Sequence, residues 1–253
     1  MSLFDNVNKN AAPNTNQGGT RNVQNMPFGG AATGDEVFEQ QPLSSAEANK
    51  LIRNTYTLLS MTLFFTAFTA GIAMVTEMPP LHWALVLVGF FGLFFLTSYL
   101  QNSIWGLVSV FALTGFMGLT LGPVLSAYLT IFSNGSELIM MAFGSTAVIF
   151  LGLSGYALAS RKDFSFIGGF LFAGILIAFL AGIGAIIFQL PGLSLAVSAM
   201  FVLLMSGLIL YQTSDMVHGR ETNYIMATVT LYVTIYNLFI SLLQLFGAFM
   251  GEK

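Results

Sequence analysis

No charged side chain occurs from Met78 to Ser136, and none from Phe164 to Ser214. A helix rising 1.5 Å per residue crosses a ~30 Å hydrocarbon core in about 20 apolar residues. Each charge-free stretch is therefore long enough for two crossings, and runs of that length must fold inside lipid. The chain as a whole agrees. A soluble domain carries about 25% charged residues, whereas this chain of 253 has 8%, too few to coat a globule. Nine of its nineteen charges lie in residues 1–55.

Several function classes fall away on composition. With no cysteine, thiolate-held zinc, haem or iron–sulfur centres cannot be built. His82 and His218 are too few and too far apart for a histidine metal site, and a net charge of −3 gives no nucleic-acid footprint. No cofactor is expected. The opening residues Met1–Asp5 lead into no apolar stretch, so no cleavable leader is expected. No Ser–His, paired-Asp or metal-ligand constellation lies in the apolar segments, which argues against an intramembrane enzyme. Nor does any ionisable residue sit at mid-depth, where ion-coupled carriers place theirs.

Residues 1–43 read as a disordered polar tail, with seven Asn, paired glycines and prolines 13, 27 and 42; they offer too little apolar surface to offset their ordering entropy. The segment 44–253 reads as a seven-helix transmembrane domain. It opens with a capping-box pattern at Ser44–Glu47. Spans are expected at 56–76, 81–100, 104–132, 137–160, 164–188, 193–217 and 224–250, giving an all-α polytopic fold. Basic residues set the orientation. Lys9, Arg21, Lys50, Arg53, Arg161, Lys162 and Arg220 fall on one side and only Lys253 on the other. That predicts a cytoplasmic N-terminus and a periplasmic C-terminus.

The seventh span carries a polar stripe of Thr230, Thr234, Asn237, Ser241 and Gln244, which at 100° per residue fills an arc of about 80°. Hydroxyls and amides facing acyl chains go unpartnered. The stripe, flanked by Tyr232 and Tyr236, must therefore face protein or a wet cavity, so this helix is predicted to be central. Interhelical hydrogen bonding and a conducting face both remain open. Small-residue stripes (Gly115, Gly118, Gly122, Ser126 on the third span; Gly174, Ala178, Ala181, Ala185 on the fifth) predict close helix packing. Gly122-Pro123 is a candidate hinge. Trp83 and Trp105 read as interface anchors. Asp215 lies at a helix C-terminus, where the dipole disfavours a carboxylate. It is expected to pair with Arg161, Lys162 or Arg220, in a charged cluster that also holds Asp163.

Several segments together resemble one family. They are Thr120–Leu125, Ser160–Gly169, Leu210–Ser214, Asn223–Val229 and Leu231–Phe239. Over residues 45–251 the chain is similar to the Bax inhibitor-1 family of seven-helix membrane proteins, most of all to its bacterial YccA branch, through Glu221–Val229. The resemblance implies a seventh helix surrounded by the other six. Some relatives are pH-sensitive calcium leak channels with a pair of sensor aspartates. The matching positions here are Gln212 and Thr234, which do not titrate, so a pH-gated leak is not implied intact. The bacterial branch implies instead an inner-membrane, non-enzymatic modulator of the AAA protease FtsH, with its partners HflK and HflC. Such a protein is also a slow substrate, gripped by its tail.

Overall fold

The computed structural model describes residues 45–252, and the 1–43 tail segment lies outside them. Seven helices follow one another: α1 (Ser45–Val75), α2 (Trp83–Leu100), α3 (Ile104–Ile131), α4 (Gly135–Ser160), α5 (Gly168–Ile187), α6 (Pro191–Val217) and α7 (Tyr224–Met250). A 3-10 turn at Ser165–Ile167 leads into α5. All seven are long and apolar enough to cross a membrane. Several starts differ from the sequence expectation: α2 begins at Trp83 rather than 81, and α5 at Gly168 rather than 164. The fourth helix begins at Gly135, ahead of Glu137. The sixth begins at Pro191 rather than after it, because proline's fixed φ and missing N–H suit the first helical turn. Turns between helices are tight. Glu77, Arg161, Gln189 and Gly219 take positive φ just past the ends of α1, α4, α5 and α6, the left-handed conformation that reverses a chain leaving a helix.

The seventh helix is the core. About two-thirds of its span (67%) is buried, against 6% for α2 and 17% for α5. Its first half packs with α1 and α3 around Leu59, Leu113, Val229 and Tyr232. Its second half packs with α4 and α6 around Leu138, Ile209, Leu238 and Leu243. One family-based expectation is corrected. Five helices touch α7, not six, because α5 packs along α6 and makes no close backbone approach to α7. Its Phe179 ring meets Phe91 of α2 edge-on at 6.3 Å. The most apolar span is thus left on the rim and the least apolar one sits at the centre, since in lipid it is the polar side chains that must be enclosed.

Glycine sets the closest contact, between α1 and α3. A Cβ on Gly118 would fall 2.0 Å from the Thr69 hydroxyl and 2.5 Å from the Thr66 carbonyl, and one on Gly122 would fall 2.5 Å from the Ala73 methyl. On the fifth helix, Ala178 and Ala185 are buried and Gly174 seats Leu204 of α6.

Candidate functional site

Polar side chains on α7 and its neighbours form a seam of hydroxyls and amides through the bundle. The stripe residues Thr234 and Ser241 are buried at 1% and 6% exposure, while Thr230, Asn237 and Gln244 are half-buried. Gln212 of α6 donates through Nε2 to the Thr234 hydroxyl oxygen at 3.2 Å, and the Thr234 hydroxyl donates to the Thr230 carbonyl at 2.7 Å. Two turns and more beyond, Gln244 donates to the Ser194 hydroxyl and accepts from Ser198 at 2.7 Å. Asn237 turns back on its own helix, donating to the Val233 carbonyl at 2.8 Å, and Thr230 does likewise to Met226 at 2.9 Å.

The tyrosines face the opposite way, toward α1 and α3. The Tyr232 hydroxyl lies 2.9 Å from that of Thr66, which is 3.1 Å from the Thr114 carbonyl. The Tyr236 hydroxyl lies 3.5 Å from that of Thr120. A third cluster ties α1, α4 and α6 to one another: Tyr56 of α1 bonds Ser154 of α4, and Thr213 of α6 donates to Ser154 at 3.4 Å. Thr66, Thr114 and Tyr56 carry no motif in the sequence; Thr213 enters only within the family-like segment Leu210–Ser214, and Ser154 only in Gly152-Leu153-Ser154-Gly155, one residue short of a hydrolase elbow. Thr66, Thr114 and Ser154 are lone polar residues in apolar runs, a signal that gains meaning only once helix neighbours are known.

Every group in this seam is neutral. It offers hydroxyl and amide oxygens but no carboxylate, and the Gln212–Thr234 pair has no proton to gain or lose near neutral pH. Gly122 and Pro123, the candidate hinge, lie within continuous α3, where Gly122 is spent on admitting Ala73 of α1.

Charge collects at the end where α1 begins. Arg220, in the turn between α6 and α7, grips Asp163 with both terminal nitrogens, at 2.8 and 3.2 Å. Its Nε donates to Asp215 at 2.8 Å. The guanidinium, helped by the Ser165 backbone N–H, holds the Asp163 carboxyl well below the usual carboxylate range. Buried Ser214 fastens the same turn, accepting from the Phe164 N–H at 3.1 Å and donating to the Lys162 carbonyl at 3.2 Å. His218 Nδ1 sits 2.8 Å from the Ser214 carbonyl, so that nitrogen carries the proton. Among the described residues, Arg161 and Lys162 form no ion pair; the Lys162 ammonium stands 6.0 Å over the Tyr156 ring.

Side-chain amides clamp both ends of α7. Asn223 caps its start, accepting from the Ile225 and Met226 N–H groups at 2.9 and 3.3 Å, while its Nδ2 reaches the Gln101 carbonyl at 3.1 Å and Asn102 at 2.9 Å. At the far end Asn134 donates to the Met250 carbonyl at 2.9 Å and accepts from the Glu252 N–H at 3.0 Å.

Fold and seam together define a multi-pass membrane protein whose least apolar helix is enclosed by its neighbours. The family model described as "Inhibitor of apoptosis-promoting Bax1" matches residues 48–251. The chain belongs to the Bax inhibitor-1 family. Its relatives include an uncharacterised protein of Pseudomonas aeruginosa, 52% identical over 219 residues, which are 85% of this chain and 98% of that one. The Escherichia coli protein named "Modulator of FtsH protease YccA" is 48% identical over 204 residues, 81% of this chain and 92% of its own. A Vibrio cholerae membrane protein is 44% identical over 202 residues, 79% and 90% of the two chains.

Proposed function

We propose that this protein is an inner-membrane, non-enzymatic modulator of FtsH, acting with HflK and HflC at the protease. The observation that carries this reading is the 48% identity, over nearly the whole of the relative, to the Escherichia coli modulator. A second Escherichia coli relative, equally similar, is named an inner membrane protein. In this reading the N-terminus is cytoplasmic and the C-terminus periplasmic, in keeping with the basic residues. The 1–43 segment is the end a pulling motor grips, and the helical body is what resists it. The tight α1–α3 contact favours slow extraction, because α1 is the first helix such a pull would reach.

Crosslinking in membranes followed by pull-down tests the partnership directly, with recovery of FtsH and HflK–HflC expected. Deleting residues 2–43 is expected to lengthen protein half-life in cells that have the protease and to leave it unchanged in cells that lack it. An equal half-life of full-length and truncated chains in both backgrounds refutes the tail's role.

A cation leak is the competing reading, favoured by the half-buried polar groups Thr230 and Asn237. The neutral Gln212–Thr234 pair supports little flux and no pH step. Calcium-dye measurements on reconstituted vesicles at about pH 6 and 8, either side of the range where paired carboxylates titrate, separate the two. A clear pH-gated flux overturns the modulator-only reading.

A further inference from the structure

The loop leaving α4 carries two cations and one acid, and the acid is taken. Asp163 and Asp215 are both held by Arg220, so Arg161 and Lys162 are left without a carboxylate among the described residues. They are nevertheless well placed. The Arg161 N–H bonds the Ala157 carbonyl at 3.1 Å. Lys162 is fixed through its carbonyl by Ser214, through its N–H by the Ser160 hydroxyl at 3.4 Å, and through its ammonium by the Tyr156 face. An ammonium so held loses little freedom on binding an anion.

Their surroundings say which anion. Arg161 and Lys162 are exposed at a span end, where headgroups lie. Farther along the same helix α4 presents an apolar outer surface, with Leu151 66% and Val148 72% exposed. Arg53 of α1 is exposed near the same end. The Tyr56–Ser154 bond fixes the relative heights of α1 and α4, and Arg53 lies about one turn from Tyr56 toward the same end. The two helices do not meet backbone to backbone, and α6 packs against both. The remaining acids of this end are Glu47 on α1 and Glu221, whose carboxylate accepts from the Thr222 and Asn223 N–H groups at 2.9 and 2.8 Å.

We propose that the end of α4, with Arg161 and Lys162 as partners, binds the phosphodiester headgroup of an anionic glycerophospholipid whose acyl chains lie along the outer face of α4. A free phosphate would satisfy the cations only; a lipid satisfies the cations and the apolar face together.

Native mass spectrometry of the full chain in detergent tests this, with phosphatidylglycerol and phosphatidylcholine of identical acyl chains added in equal amounts. Preferential retention of phosphatidylglycerol is expected. Arg161→Gln with Lys162→Gln is expected to lower that preference roughly tenfold or more at low ionic strength. The same charge change in the tail, Lys9→Gln with Arg21→Gln, is expected to leave it alone. Arg161→Lys with Lys162→Arg keeps the charge and is expected to keep the preference. If this conservative pair loses as much as the glutamine pair, the loss is structural and the proposal falls. It falls also if the wild type shows no headgroup preference, if the tail control weakens binding equally, or if millimolar inorganic phosphate displaces the lipid completely.

Discussion

Substituting Gly118 by alanine adds one methyl group where α1 and α3 touch. Its Cβ would lie 2.5 Å from the Thr66 carbonyl oxygen, against an ordinary contact near 3.4 Å, so the helices must part by ~0.9 Å there. The Thr69 hydroxyl, at 2.0 Å, can rotate away; the backbone carbonyl cannot. A gap of 0.5–1 Å forfeits roughly a quarter to a half of each van der Waals contact it opens. It also pulls Thr66 away from Tyr232 and the Thr114 carbonyl. Overpacking typically costs ~1–3 kcal/mol and each lost interhelical hydrogen bond ~0.6 kcal/mol, so a destabilisation of about 3 kcal/mol is expected. Gly144 and Gly152 have open space around the same position. Alanine there gains helix propensity, up to ~1 kcal/mol. Unfolding of the three variants by sodium dodecyl sulfate in mixed micelles, followed by circular dichroism, measures the difference. A Gly118→Ala variant within about 1 kcal/mol of Gly152→Ala, the size of the propensity term alone, refutes the close-contact argument.

Three further outcomes follow from particular bonds. Asn223→Ala removes the α7 cap and its tie to the α2–α3 turn, and is expected to cost ~1–2 kcal/mol by the same unfolding measurement. Thr55 has a fully buried hydroxyl without a partner, so Thr55→Val, of the same shape, is expected to be neutral or stabilising by up to ~1 kcal/mol; marked destabilisation would reveal a partner for that oxygen. Asp163 has its pKa depressed by Arg220, so its contribution is present above the unfolded value of about 3.9 and is lost only as pH falls through the lower folded value. Protection of the Phe164 and Ser165 amides in hydrogen exchange is accordingly expected to be flat between about pH 5 and 8 and to weaken only in stronger acid. In Arg220→Gln the onset of weakening is expected to move to higher pH.

Much of this architecture was legible in the sequence, for a physical reason. Lipid forbids charge, so spans and turns separate by composition, and all seven helices fall where the charge-free runs place them. The centrality of α7 was legible too, since its hydroxyls and amides recur along one face. What each polar group bonds was not. Gln212 and Thr234 were aligned by resemblance, but Tyr56, Ser154 and Thr213 lie on three helices, and nothing in their local sequence relates them. The rim position of α5 contradicts the six-neighbour expectation, yet a hint was present: its face is apolar all round, so it has nothing to hide from acyl chains. The charged cluster was legible as a set but not in its pairing, because the choice of Arg220 over Arg161 and Lys162 depends on how two turns distant in sequence come together.

The enclosed helix is also the last of the seven to be synthesised, which bears on biogenesis. Until it arrives, the six earlier segments must coexist in the bilayer with the Thr66, Thr120, Gln212 and Ser198 side chains lacking the partners that α7 supplies. Hydroxyls and amides in that position need water or one another as partners until α7 packs against them. The two asparagine clamps then act as bolts that are thrown last, one on each side of the membrane, so a nascent chain stalled before Tyr224 has six helices in place and no closed interior.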